Sequence, residues 1–372
     1  MIWNMYSQNM NANNQKRNKK KKRNFIFRGV SILCTIVFLV SGLCGCTAGG
    51  NGEENLPKDQ KKLRIVTTIF PQYDFVRQIA GDNVSLTMLL KPGEETHSYE
   101  PTPQDIIAIQ NADLFIYVGG ENDEWVEDIL ESPEMEDVKR LRLVDCVGNI
   151  LAEEHVEGMK EERGHSHEDE EEESHDEEEH FLHSAEETEE EHNEHVHTMD
   201  EHVWTSPGNA IDIVEHITEE LCSLDSEHGQ TYKDNAEAYE TQLKKLDTAF
   251  RDVVENAKNH TLLFGDRFPF RYFAAEYGLE YYAAFSGCAS DTEPSAATMA
   301  FLINKVKEEH IPVVLKMELS NDNIANAIAE ACDVPVKVFY SSHNISAKQF
   351  EAGVTYLDLM KENVETLKEA LR

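Results

Sequence analysis

The chain has 372 residues and a formal net charge of −37, with 71 acidic residues against 34 basic ones and 16 histidines. So acidic a protein is a poor partner for nucleic acid, whose phosphate backbone is bound through lysine and arginine. Cations are a much better match for this charge. The seven cysteines contain no CxxC pair, which argues against a zinc ribbon and against a small fold held by disulfides.

The N-terminus has the pattern of a bacterial signal peptide. A basic run, residues 16–23, precedes an apolar stretch, residues 30–40, that is shorter than the ~20 residues of a membrane-spanning helix. The Leu-Cys-Gly-Cys sequence that ends at Cys46 resembles the lipobox of bacterial lipoproteins. We therefore predict a signal peptide over residues 1–45, attachment of Cys46 to membrane lipid, and a Gly-rich tether over residues 46–61. The alternative is an uncleaved membrane anchor, and both interpretations place the rest of the chain outside the cytoplasm.

Residues 62–150 alternate between strand and helix patterns. The predicted strands are Leu63–Ile69, Val84–Leu90 and Asp113–Val118, and the predicted helices are Pro71–Ala80 and Pro103–Asn111. This alternation has the spacing of βαβ units, so it predicts an N-terminal α/β lobe with a parallel sheet.

Residues 151–201 form a His-rich acidic tract. Between Glu153 and His202 the sequence has ten histidines and 23 acidic residues against two basic ones. Apolar residues are too few to offset a folding entropy of ~1–2 kcal/mol per residue, so we expect a disordered loop. Imidazole is the commonest metal ligand, and a His-rich loop is typical of a metal collector. The alternative is a solvated acidic linker whose histidines have no role.

The rest of the chain predicts a second lobe reached through a long helix. Residues 202–230 complete the first lobe, and residues 231–258 carry an apolar stripe at intervals of three and four, which predicts a linking helix. Strand and helix patterns then alternate again over residues 259–372. The predicted strands are Thr261–Phe264, Glu280–Phe285, Pro312–Met317 and Val334–Tyr340; the predicted helices are 270–277, 295–309, 321–332 and Ala347–Leu371. The expected fold class is therefore α/β, with two parallel-sheet lobes joined by a long rigid helix.

Two histidines stand in distinctive passages. His97 lies between Lys91-Pro92-Gly93 and Glu100-Pro101-Thr102-Pro103, and His202 lies in Asp200-Glu201-His202-Val203-Trp204-Thr205-Ser206-Pro207. Both passages resemble the metal-binding motifs of the zinc- and manganese-binding lipoproteins of ABC importers, the cluster A-I solute-binding proteins. The resemblance extends from about residue 62 to residue 372 and includes a His-rich acidic loop between the two motifs.

This resemblance implies a metal in the cleft between the lobes and a function in capture and delivery. The expected partners are a zinc ion, an ABC importer membrane permease and membrane lipid through Cys46, with a monomeric protein and no catalysis. It also implies that His97 and His202 bind the metal. The family's third ligand is a histidine near the start of the second lobe, where this chain has Asp266 and Arg267 instead. Arginine stays protonated and cannot ligate a metal. We therefore expect His343 to supply the missing imidazole and Asp266 an oxygen.

The histidine count favours zinc over the alternatives. Zinc accepts tetrahedral sites rich in nitrogen, whereas manganese prefers more oxygen ligands. A manganese-specific protein of the same family is one alternative, and a surface adhesin or metal buffer without a transport role is another. A zinc hydrolase is disfavoured because the sequence contains no HExxH motif. The pairing of Cys146, Cys222, Cys288 and Cys332 stays open.

Overall fold

Two four-stranded parallel sheets organise the part of the chain that the computed structural model describes. The described residues are 62–94, 99–120, 123–159, 199–287, 289 and 293–372. The predicted signal peptide, the lipid attachment site at Cys46, the tether, His97 and most of the His-rich tract lie outside these residues. Within the described part, no helix has both the length and the apolar character needed to cross a membrane.

The first lobe contains one sheet and four helices. Its strands are β1 (Leu63–Thr67), β2 (Val84–Met88), β3 (Leu114–Tyr117) and β4 (Lys139–Arg142), in the order β2-β1-β3-β4 with every pair parallel. Its helices are α1 (Phe70–Ala80), α2 (Pro103–Gln110), α3 (Glu124–Leu130) and α4 (Pro207–Leu224). The three predicted strands and two predicted helices are confirmed within a few residues at their ends. The edge strand β4 was missed because its sequence, Lys-Arg-Leu-Arg, has no apolar run and stays largely exposed.

The linking helix, α5, runs from Gly229 to Glu255. Its 27 residues correspond to about 40 Å at the rise of an α-helix. The predicted apolar stripe is buried from Tyr232 to Phe250. Beyond Phe250, Val254 is the buried residue, and the predicted Val253 is only partly buried. The helix packs against α1 and α4 of the first lobe and also against the C-terminal helix of the second lobe.

The second lobe repeats the architecture of the first. Its strands are β5 (Thr261–Phe268), β6 (Glu280–Ser286), β7 (Val314–Lys316) and β8 (Val336–Val338), in the parallel order β6-β5-β7-β8. Its helices are α6 (Arg271–Tyr277), α7 (Ala296–Glu308), α8 (Asn323–Cys332), α9 (Ala347–Glu351) and α10 (Tyr356–Ala370). The fold class predicted from the sequence, two parallel-sheet α/β lobes with a long linking helix, is therefore confirmed.

The prediction of one helix from Ala347 to Leu371 is wrong, because the chain turns between α9 and α10. Gly353 has a φ of 74°, a left-handed conformation that ends a helix. Thr355 then caps α10, since its side chain accepts a hydrogen bond from the backbone N–H of Asp358 and the Asp358 carboxylate accepts one from the backbone N–H of Thr355. The apolar spacing continued across the turn and concealed it.

The predicted loop boundaries, 151 and 201, are too wide at both ends. Ala152 and Met199 form an antiparallel bridge, and the Asp200 N–H donates to the Leu151 carbonyl at 2.9 Å. Glu154 pairs with Arg271 of the second lobe. Asp200 and Glu201 are each 1% exposed and belong to the interior. Their acidic composition predicted solvent exposure, but their neighbours in the fold bury them.

The described cysteines do not form disulfides with one another. Cys146, Cys222 and Cys332 are free thiols. Cys288 lies outside the described residues. Packing rather than cross-linking therefore holds this part of the chain, and one continuous apolar core joins residues such as Leu114 and Phe264 of the two sheets.

Candidate metal centre

His202 is fixed at the entrance to α4. It precedes a single 3-10 turn, Val203–Thr205, which leads into the helix that Ser206 caps. Its side chain is completely buried. Asp200 Oδ1 lies 3.1 Å from His202 Nδ1 and also accepts the His202 backbone N–H at 2.9 Å. Nδ1–H is therefore the donor to Asp200, which leaves Nε2 as the atom with a free lone pair. Nε2 is buried and has no hydrogen-bond partner among the described residues.

The same acidic surroundings set the protonation of His202. Burial alone would lower the pKa of the imidazole because it disfavours the charged form. The charge and hydrogen bond of Asp200 outweigh burial, with smaller contributions from Glu201 and Glu153, so the pKa lies above its ordinary value of 6.5. A proton therefore competes with a metal ion for Nε2 up to a higher pH than it would at an ordinary imidazole.

His343 lies in the loop that follows β8. Its backbone N–H donates to Ser341 Oγ at 3.3 Å, and its carbonyl accepts the backbone N–H of Phe70 from the first lobe, also at 3.3 Å. Glu318 supports the loop, since its carboxylate accepts the Ser341 N–H at 2.7 Å and the Ser341 hydroxyl at 2.8 Å. Burial raises the pKa of Glu318 to about 7. Glu318, two residues after β7, thus stabilises the loop that carries His343.

The two imidazoles meet beside one tryptophan. The ring centroids of His202 and His343 are 5.2 Å apart and the rings are perpendicular, at 89°. The ring centroid of Trp204 lies 5.5 Å from that of His202 and 4.9 Å from that of His343. Its indole N–H donates to the Ser341 carbonyl at 2.9 Å, so one buried side chain from the first lobe orients the histidine loop of the second.

A carboxylate completes the cluster. One ligand atom each from Glu201, His202 and His343 lie within 4.8 Å of one another, and this is the only such group of three metal-binding side chains in the described part of the chain. The sequence predicted both histidines but not Glu201, which was assigned to the loop. Its position immediately before the motif histidine was the available signal.

Asp266 is not part of this group. Its Oδ2 accepts the Met317 N–H at 3.0 Å and the Ser320 hydroxyl at 2.5 Å, and its Oδ1 accepts the Arg267 N–H at 2.9 Å. Asp266 therefore fastens the loop after β7 to β5. The expectation that Asp266 supplies an oxygen ligand finds no support in this arrangement. His97, the third expected imidazole, lies outside the described residues.

The fold and the cluster define a class of protein. Two parallel-sheet lobes on a long helix, with two buried imidazoles and a carboxylate where the lobes meet, are the features of a two-lobed solute-binding protein with a candidate metal site. The sequence model of the family described as ZnuA, zinc-uptake complex component A, periplasmic, matches residues 65–370. The chain belongs to this family.

Individual relatives agree with this assignment. The zinc-binding lipoprotein AdcA of Streptococcus pneumoniae is 32% identical over 309 residues, which is 83% of this chain and 56% of the relative. This chain therefore spans little more than half the length of that relative. The high-affinity zinc uptake system protein ZnuA of Bacillus subtilis is 30% identical over 341 residues, 90% of this chain and 94% of the relative.

Solved structures show the same fold. The crystal structure of the Zn(II)-bound ZnuA-like domain of S. pneumoniae AdcA has a TM-score of 0.63 and 29% identity, over 83% of this chain and 99% of that domain. The metal-dependent lipoprotein YcdH of B. subtilis has a TM-score of 0.65 and 27% identity, over 83% of this chain and 99% of that protein. The similarity covers both lobes and the linking helix.

Proposed function

We propose that this protein captures Zn²⁺ outside the cytoplasm and delivers it to the permease of an ABC importer, without catalysis. The observation that carries the proposal is the buried Nε2 of His202, which has no hydrogen-bond partner among the described residues and lies in one group with the ligand atoms of His343 and Glu201. A buried polar atom normally has a hydrogen-bond partner, and a bound ion is one of the explanations for an exception. The relatives named for zinc binding and zinc uptake support the same metal.

His97 is the third imidazole of the proposed site, and the residues on both sides of it support this role. Asn344, next to His343, donates its amide to the carbonyls of Lys91 and Glu94 at 2.8 and 2.9 Å. His97 follows Glu94 by three residues, a reach of at most about 11 Å for an extended chain. On its other side, Tyr99 is close enough to Glu94 for the carboxylate charge to contribute to its raised pKa. Lys91 and Glu94, which precede His97 in the sequence, are thus held beside Asn344, and this supports the proposal that His97 is the third ligand.

The chemistry of the cluster supports zinc over manganese. The two imidazoles of the cluster, with His97 as the proposed third, form a nitrogen-rich set, which zinc binds at Zn–N distances near ~2.0–2.1 Å. Manganese prefers sites with more oxygen. Asp266, the second carboxylate expected from the sequence, is engaged elsewhere. A manganese-specific protein is therefore the weaker proposal.

Delivery follows from the position of the site and of the His-rich tract. The tract ends at His202, so zinc bound weakly by its histidines is held at high effective concentration beside the site. Glu201, His202 and His343 are buried, and the lobes share a core and the helix α5, so we expect release of the ion to require a partner protein. We propose that docking on the permease causes this release, with the monomer anchored through acylated Cys46.

Competition between the protein and a zinc chelator tests the proposal. His202→Ala and His343→Ala should each lower the affinity of the tight site by at least ~100-fold, the upper range for loss of a residue that supports a metal ligand. His216→Ala is the matched control, because His216 is an exposed helical histidine outside the cluster. If both cluster variants bind zinc as tightly as the wild type, the metal is held elsewhere and the proposal is wrong.

A further inference from the structure

We infer that Glu201 is the oxygen ligand of the bound metal, in the place that the sequence suggested for Asp266. This inference rests on the proposed zinc site and adds the residue that completes it. Glu201 is 1% exposed and precedes His202 directly. Its carboxylate is the third member of the group whose ligand atoms lie within 4.8 Å of one another. A carboxylate oxygen beside two imidazole nitrogens belongs to the nitrogen and oxygen ligand set that zinc accepts.

Gly120, three residues after β3, leaves space for the carboxylate of Glu201. A Cβ on Gly120 would lie 2.8 Å from Glu201 Cδ and closer still to Oε2, a distance that real side chains do not adopt. Gly120 is not in the left-handed region, so the backbone itself does not require glycine there. The absence of a side chain at position 120 is what lets Glu201 occupy the interior beside His202.

The charges around Glu201 favour a divalent cation. Asp123 is a further buried carboxylate, 5% exposed, and it lies close enough for the charge of Glu201 to act on it. The Asp123 carboxylate accepts the backbone N–H groups of Val118 and Gly119 at 2.6 and 3.2 Å. Asp200, whose Oδ1 contacts His202 Nδ1, adds a further buried carboxylate. A divalent cation is a favourable partner for a buried carboxylate, and Glu201 is the carboxylate that belongs to the group of ligand atoms.

Glu201→Gln in the full chain separates a ligand from a residue that only supports the fold. The change keeps the shape of the side chain but removes the negative charge. As a ligand, Glu201 should be needed for tight zinc binding, and we expect the affinity to fall by about 100-fold. The zinc-free protein should melt close to the wild-type temperature, because glutamine keeps the shape of the side chain and an oxygen that accepts hydrogen bonds. A loss of zinc affinity without a loss of stability is the signature of a metal ligand.

Two matched pairs of variants control this experiment. Asp266→Asn changes a buried carboxylate outside the group, so it should lower the melting temperature and leave the zinc affinity unchanged. Gly120→Ala should weaken zinc binding by displacing Glu201, whereas Gly148→Ala should not, because a Cβ on Gly148 meets no atom within 4 Å. Affinity for Mn²⁺ should fall in Glu201→Gln by a larger factor than affinity for Zn²⁺, since manganese depends more on oxygen ligands.

The outcomes distinguish this inference from the proposed function. If Glu201→Gln binds zinc like the wild type while His202→Ala loses the tight site, Glu201 is not a ligand and the zinc site stands. If Glu201→Gln lowers zinc affinity and the zinc-free melting temperature together, its role is structural and the inference is equally overturned. If His202→Ala keeps the tight site, the proposed function itself fails.

Discussion

Replacing Asp200 by asparagine isolates the charge that controls His202. Asp200 Oδ1 receives two hydrogen bonds from His202, one from the backbone nitrogen at 2.9 Å and one from Nδ1 at 3.1 Å. Asparagine keeps an oxygen that can accept both. It removes the negative charge that makes the imidazole a more basic ligand. Loss of such a partner usually costs 10–100-fold in metal affinity, which is about 1.4–2.8 kcal/mol.

This loss should be visible as a smaller zinc-induced thermal shift. Zinc at a thousandfold excess over the dissociation constant stabilises a protein by about 4 kcal/mol, and Asp200→Asn should lose about 1.4–2.8 kcal/mol of this at the same zinc concentration. For a protein of this size each kcal/mol corresponds to about 2–4 °C, so the shift should shrink by roughly 3–11 °C. Melting curves with and without zinc at pH 7.5 measure it.

Although Asp200→Asn should weaken zinc binding, it should also lower the pH at which protons begin to displace zinc. Asp200 raises the pKa of His202 above 6.5, so in the wild type protons begin to displace zinc as the pH falls through that raised pKa. Asp200→Asn lowers the pKa, so its weaker zinc binding should persist to lower pH. In the zinc-free wild type, the charged pair stabilises the fold fully below about pH 6.5 and loses this contribution as the pH rises through the folded pKa. Melting series from pH 5 to 8 follow both effects.

A clear result would refute this reasoning. If Asp200→Asn retains the wild-type zinc shift at pH 7.5 and the same pH profile, the charge of Asp200 does not control the ligand. The tautomer and basicity assigned to His202 would then be wrong.

Three further predictions concern other parts of the chain. Cys46→Ser should leave unprocessed precursor when expressed in a bacterium, and a mature N-terminus elsewhere without lipid, by mass spectrometry, would contradict acylation. Deletion of residues 160–198 should lower the number of zinc ions per chain and preserve one tight site; loss of all zinc binding would instead favour a metal buffer. Trp204→Phe should destabilise the zinc-free protein by about 1–3 kcal/mol in urea unfolding, because the buried Ser341 carbonyl loses its donor, and unchanged stability would contradict that role.

Much of the fold was predictable because its buried elements have strong periodic patterns. The strand β3 is a continuous apolar run, β1 has a buried apolar and β-branched end, and the stripe on α5 repeats from Tyr232 to Val254. The elements that were missed or misjudged lack this signal. The edge strand β4 is polar, and the turn at Gly353 interrupts a pattern that resumes in phase. Propensity and periodicity do not record such local geometry.

The members of the candidate site could be predicted where their side-chain chemistry is distinctive, but not where burial decides which of two similar residues belongs to it. His343 stood out as an imidazole after the last strand of the second lobe, and the structure brings it to His202. Asp266 and Glu201 are both acidic and cannot be told apart by residue type. Met317 and Ser320 donate hydrogen bonds to Asp266, whereas the space beside Gly120 accommodates the carboxylate of Glu201. Only the tertiary structure contains that distinction.

The most direct test of the central claim is a crystal structure of the zinc-loaded protein with anomalous data at the zinc absorption edge. One strong anomalous peak should lie within about 2.0–2.1 Å of His202 Nε2 and of a ring nitrogen of His343, the usual zinc–imidazole distance. The third nitrogen should come from His97 and the oxygen from Glu201. A fully occupied zinc peak away from His202 and His343, with none between them, would contradict the account.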